Sequence, residues 1–163
     1  MKKIVVVGLG NPIISDDGVG IKVAQAISET LQDENIAVKE VYAGGLRLMD
    51  ALVGFDHAII IDAMLHVKGT PGTIKKFGVQ DFAATRNIGS SHDMDLNSAI
   101  ELGRISGLKM PQTLDIWGIE AFDILSFSEN LTNQVSEAVP KVVSSILHDI
   151  KALTNDNVSL VRG

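Results

Sequence analysis

Apolar and polar positions change period several times along this 163-residue chain, and each change marks an element. Ile4, Val5, Val6 and Val7 form an unbroken β-branched run, the signature of a strand covered on both faces in a parallel sheet. Val19, Val23, Ile27 and Leu31 then recur every four residues, which predicts an amphipathic helix with Ser15 or Asp16 as its N-cap. Alternation over 36–42 predicts a second strand, closed by the turn Ala43-Gly44-Gly45. Leu46, Leu48, Met49 and Leu52 share one face of a short helix that stops at Gly54. The most strand-like stretch is His57-Ala58-Ile59-Ile60-Ile61-Asp62, and it ends on a carboxylate.

Strand, helix, strand, helix, strand is a doubly wound order with right-handed crossovers. Gly69-Thr70-Pro71-Gly72 turns into a fourth strand at 73–77, close enough in sequence to the third to run antiparallel to it. Residues 78–91 carry no period and predict a loop long enough to be functional. Leu96, Ala99, Ile100 and Gly103 mark a helix over 93–105, and 114–118 reads as a strand. A last helix over 132–153 buries a stripe that includes Val135, Val142, Ile146 and Ile150, with Pro140 expected to start or kink it. From Asn155 the chain is polar and expected to fray. The fold class is therefore α/β: a three-layer α/β/α sandwich around a mostly parallel twisted sheet of about five strands, one of them antiparallel. A single catalytic domain is expected over 1–163, because one core suffices at this length.

Composition narrows the ligands. Fourteen Lys and Arg against 20 Asp and Glu leave a net charge of −6, which argues against a nucleic-acid partner. With no cysteine, disulfides and thiolate chemistry are excluded, and any metal must be held by oxygen and imidazole. No apolar run is long enough to span a bilayer, and the run after Lys2-Lys3 is too short for a signal peptide. The expectation is a soluble, cytoplasmic, monomeric protein with no membrane insertion.

In parallel sheets, ligands bind at the carboxyl ends of the strands. Asp17 falls just past the first strand and Asp62 at the tip of the third, so parallel pairing puts both acids on one edge. A fourteen-residue loop spans ~46 Å at about 3.3 Å per residue, enough to return His92 to that edge. Two carboxylates and an imidazole suit a divalent ion with coordination positions left open. Each residue also has a plain role: Asp16 and Asp17 as helix caps, Asp62 as a strand-end turn residue, His92 as a surface histidine. Asp17 is assigned the ligand role and Asp16 the capping role beside it. His57 and His148 are expected to be solvated, and His66 to support the site from behind. Met64 and Met110 are expected to pack, and Trp117 and Phe122 to fill the core or line the site wall. A dinucleotide fingerprint starting at Gly8-x-Gly10 would need its third glycine at position 13, which is Ile13, and adjacent carboxylates would oppose a pyrophosphate. No Gly-x-Ser-x-Gly elbow is present.

Taken in order, Gly8-Leu9-Gly10-Asn11, Ser15-Asp16-Asp17-Gly18-Val19-Gly20, Ile61-Asp62-Ala63 and Ser90-Ser91-His92-Asp93-Met94 make the chain resemble the hydrogenase maturation endopeptidases over nearly its whole length. The resemblance implies a phosphorylase/hydrolase-like fold. It implies an endopeptidase that removes the C-terminal extension of a nickel-iron hydrogenase large-subunit precursor after nickel insertion. Asp17, Asp62 and His92 match the positions proposed to contact that nickel, which the substrate carries; other divalent ions can occupy the site in vitro. Many family members have Glu where this chain has Asp17. Gly44 and Gly45 match a glycine pair implicated in substrate selection, with Ala43 and Leu46 departing from its usual flanks, and Asn11 is assigned to fix the turn or approach substrate. A non-catalytic nickel-binding maturation factor and a nucleotide-binding domain remain the alternatives.

Overall fold

The computed structural model describes residues 1–42, 46–78 and 96–160. Its strands are β1 Ile4–Leu9, β2 Ile36–Val41, β3 His57–Met64, β4 Ile74–Gly78 and β5 Thr113–Glu120, and they form one five-stranded sheet in the order β2-β1-β3-β5-β4. The helices are α1 Val19–Thr30, α2 Leu46–Leu52, α3 Leu96–Ile105 and α4 Asn133–Leu160, and a 3-10 turn, Ser15–Gly18, precedes α1. None of the described helices is long and apolar enough to cross a membrane.

Alternate strand residues feed two cores. Val5, Val7, Ile60 and Ile116 pack with residues of α2 and α3 on one face. Val6, Ile59, Ile61 and Ile119 pack with α1 and α4 on the other. Being covered on both sides is why the central strands read as unbroken apolar runs. Ile59, Ile60 and Ile61 have no exposed surface at all. Burying each contributes roughly 1.5–3 kcal/mol, so Asp62 follows directly on a strongly stabilised stretch of β3.

β1, β2, β3 and β5 pair in parallel, with Gly8 opposite Ile61 and Asp62 opposite Gly118. The antiparallel strand is β4, but its partner is β5 and not β3. Both sides of β3 are occupied, by β1 and by the late-arriving β5, so β4 is displaced to the edge. Its half-exposed Ile-Lys-Lys-Phe-Gly sequence suits that edge. The start of α1 also differs from expectation: its N-cap is Gly18, with no side-chain cap, because Ser15 and Asp16 belong to the 3-10 turn. At the other end of the chain α4 takes Pro140 into its interior and runs past Leu153, where its apolar stripe ends.

Candidate active site

Two glycines fold the segment after β1 back onto the sheet. Gly10 has a φ of 151°, and a Cβ there would strike the carbonyl of Asp17. Gly20, in the first turn of α1, lies so close to the carbonyls of Leu9 and Ile61 that no side chain fits. The 3-10 turn consequently packs against β3. This contact brings Asp17 to the edge from which Asp62 emerges. Asp17 is 3 % exposed and Asp62 fully buried. The backbone N–H of Asn11 donates to Asp17 Oδ2 at 3.1 Å, and that of Ala63 to Asp62 Oδ1 at 2.8 Å. Asn11 therefore acts on this site through its main chain, while its side-chain oxygen accepts from the Ile13 N–H.

Asp16 does something else. Its Oδ2 accepts the backbone N–H groups of Phe122 (3.0 Å) and Asp123 (2.9 Å) and the hydroxyl of Thr132 (2.8 Å), while its Oδ1 accepts the Thr132 N–H (2.8 Å). It is fully buried. Asp16, expected to cap the helix beside Asp17, caps neither the 3-10 turn nor α1 and bonds to the β5–α4 connection instead. It ties the β5–α4 connection to the segment that carries Asp17. Ser15 N–H donating to the Ser128 carbonyl and Ser128 N–H donating to the Ile13 carbonyl, both through main chain, complete the tie. Ser15 adopts a φ of 40°, a strained value for a residue with a side chain, and its hydroxyl donates to the Asn130 carbonyl.

Another buried carboxylate lies at the same edge. Glu120, the last residue of β5, is 2 % exposed and accepts the His66 backbone N–H at Oε1 (2.6 Å) and its Nδ1–H at Oε2 (2.7 Å). His66 was expected to support the site from behind; its bonds go to Glu120 and brace the loop after β3. Glu120 is the last residue of β5, whereas Asp62 lies within β3, which runs on to Met64; the strand expected over 114–118 stopped short of Glu120.

His57 corrects an expectation. It is 4 % exposed, not solvated, with Nδ1 2.6 Å from Thr113 Oγ1 and Nε2 donating to Asp115 Oδ2 at 3.0 Å. That hydrogen bond, with Lys76 nearby, holds the Asp115 carboxyl below its ordinary pKa. This cluster sits at the amino end of β3 and β5, the far edge from Asp17 and Asp62. His148 is exposed, and Met64, Met110 and Trp117 are buried, as expected. Phe122, at 71 % exposure, is not a core residue. Gly44, Gly45 and His92, together with the loop expected over 78–91 from residue 79 onward, lie outside the described residues. Among the described residues no three His, Asp or Glu side chains gather as a metal-binding group. A phosphate cradle at the start of α1 is disfavoured by the buried Asp16 and Asp17 that occupy the preceding turn.

Comparison with known proteins agrees with this geometry. The family model described as hydrogenase maturation protease matches residues 2–149. The hydrogenase 2 maturation protease of Escherichia coli is 26% identical over 120 residues, 72% of each chain. Among solved structures, the hydrogenase maturating endopeptidase HybD from E. coli superposes with a TM-score of 0.75 at 21% identity, covering 92% of this chain and 93% of that one. The [NiFe] hydrogenase maturation protease HybD from Thermococcus kodakarensis gives 0.62 at 26% identity, covering 91% and 98%.

Proposed function

We infer that this chain, which belongs to the hydrogenase maturation protease family, is a cytoplasmic endopeptidase that removes the C-terminal extension of a nickel-iron hydrogenase large-subunit precursor once nickel is in place. The observation that carries the reading is the placement of two carboxylates, Asp17 and Asp62, on one strand edge by the close approach of Gly20 to β3.

In this reading the nickel is part of the substrate, and Asp17, Asp62 and His92 contact it, so that only a loaded precursor is oriented for cleavage. Orientation of this kind is worth several kcal/mol of the barrier, because it turns a bimolecular encounter into an intramolecular one. Hard oxygen donors and an imidazole suit such an ion. Hydrolysis adds the oxygen of water to the scissile carbonyl carbon and delivers a proton to the departing amine. The Asn11 N–H fixes one oxygen of Asp17, and the Ala63 N–H one of Asp62, so both carboxylates meet the precursor in a preset orientation. Asn11, Gly44 and Gly45 are assigned to the polypeptide on either side of the bond.

Processing of nickel-loaded and nickel-free precursor by the purified protein tests this. Cleavage of the loaded form alone is expected, with Asp17→Asn, Asp62→Asn and His92→Gln each slowing it on the order of 100-fold or more. Full processing by all three variants would overturn the assignment. Nickel retained by the protein with the extension left intact would identify a non-catalytic carrier instead.

A further inference from the structure

The β5–α4 connection presents apolar side chains that the fold does not use. Phe122, Leu125 and Phe127 are 71 %, 84 % and 86 % exposed, and none belongs to either core. Their neighbours Ile124 and Leu131 turn inward and pack on the α1/α4 face, so the connection already has its own anchorage. Ile13 and Leu65, about half exposed, and the fully exposed Val67 extend the apolar surface into the loops after β1 and β3. All of these residues lie beyond carboxyl ends of strands, on the edge that carries Asp17 and Asp62.

The surface is not a loose loop. Asp16 holds its backbone at Phe122, Asp123 and Thr132. The main-chain bonds of Ser128 join it to Ile13 and Ser15. Asp123 Oδ1 accepts the N–H groups of Leu125 and Ser126, and the Ser126 bonds, with that of Leu125, hold the Asp123 carboxyl below its ordinary pKa. Exposed aromatic and aliphatic side chains on a fixed backbone lose little freedom when a partner covers them, which is the economy of a binding surface.

We propose that residues 122–128 form a docking lip for the large-subunit precursor, taking an apolar, non-acidic stretch of its polypeptide beside the scissile bond. The proposal rests on the endopeptidase reading: a protease acting at Asp17 and Asp62 must hold polypeptide across this edge. Charge favours that occupant. Across 121–131, the lip and its immediate flanks, the sequence has no Lys or Arg but contains Asp123 and Glu129. A lip of this sign repels nucleic acid and anionic lipid, while it accepts a neutral or basic peptide.

The test is equilibrium binding of nickel-loaded precursor to the wild-type protein and to a Phe122→Ser/Leu125→Ser/Phe127→Ser variant. Ile105→Ser, an exposed apolar change at the end of α3 and at the opposite edge, is the control. The triple variant is expected to keep its melting temperature and to bind roughly 10-fold or more weakly, with Ile105→Ser binding like wild type. Equal affinity of wild type and triple variant would overturn the lip, as would equal losses in the triple variant and the control, or no binding by wild type. Wild-type binding without cleavage, weakened by the triple change, would remove the endopeptidase reading and leave the lip in place.

Discussion

Asp16 and Thr132 stand 116 positions apart in the chain, yet one carboxylate accepts both the backbone N–H and the hydroxyl of that threonine, each at 2.8 Å. Thr132 immediately precedes α4, so the pair closes the N-terminal end of the longest helix against the turn that carries Asp17. Replacing Asp16, itself fully buried, with Ala leaves the donors of Phe122, Asp123 and Thr132 without their carboxylate. The expected cost is about 3 kcal/mol, since each unsatisfied buried group costs roughly 1–3 kcal/mol and some of the segment relaxes. In a chain of this length that lowers the melting temperature by roughly 6–12 °C, and thermal unfolding measures it.

Gly20→Ala is expected to separate stability from activity. The added methyl group meets the carbonyls of Ile61 and Leu9, neither of which can rotate away. Overpacking of this kind costs about 1–3 kcal/mol. The larger effect falls on processing, because α1 and the turn before it move relative to Asp62. A displacement on the order of 1 Å costs roughly 100-fold in rate. A precursor-cleavage assay beside a urea titration distinguishes the two, and a rate unchanged from wild type would contradict the role given to Gly20.

The His57–Asp115 contact makes stability depend on pH. The hydrogen bond from His57 lowers the Asp115 pKa in the folded state, so the carboxylate contributes stability above its unfolded value, and that contribution is lost as pH falls through the lowered folded one. Asp115→Asn is expected to cost about 1 kcal/mol at pH 7, a modest figure because the side chain is 24 % exposed. The difference from wild type should close below about pH 4. Denaturant titrations across pH 3–7 read both limbs; a gap that widened with acid would contradict the sign.

Glu120 and His66 are expected to couple. Glu120→Gln replaces one of the two accepting oxygens at a buried position with an amide NH2, so at most one of the two short hydrogen bonds survives, and His66→Ala removes one donor. Each single change should cost about 1–2 kcal/mol, and the double change less than their sum by roughly 0.5–1.5 kcal/mol. A double-mutant cycle in thermal or chemical unfolding measures the shortfall, and strict additivity would mean that the contact does not contribute.

Much of this was legible in the sequence wherever one residue type repeated at one period. The β-branched run at Val5 and Val7, the four-residue spacing from Val19 to Ile27 and the Ile59–Ile61 block each lie in the expected element, because burial on one or two faces writes itself into local spacing. The shared edge of Asp17 and Asp62 followed from parallel pairing alone. Relations between distant segments were not written there. Nothing near Asp16 announces Phe122 or Thr132, and a helix cap was the local role on offer. His57 looked solvated because Thr113 and Asp115 arrive beside it only through β5. β4 looked like a neighbour of β3 for the same reason: the insertion of β5 between them is decided by the completed sheet.

The clip at Asp16 also sets an order of events in time. Bringing the turn after β1 to the residue before α4 closes a loop longer than one hundred residues, and the entropy of that closure is met only after the intervening strands and helices have drawn the ends together. Its bonds should therefore be absent from the folding transition state: changes at Asp16 should leave the folding rate nearly untouched, with φ near 0, and speed unfolding instead. The protein would then gain its sheet early and its working edge last, and a half-folded chain would carry no competent protease.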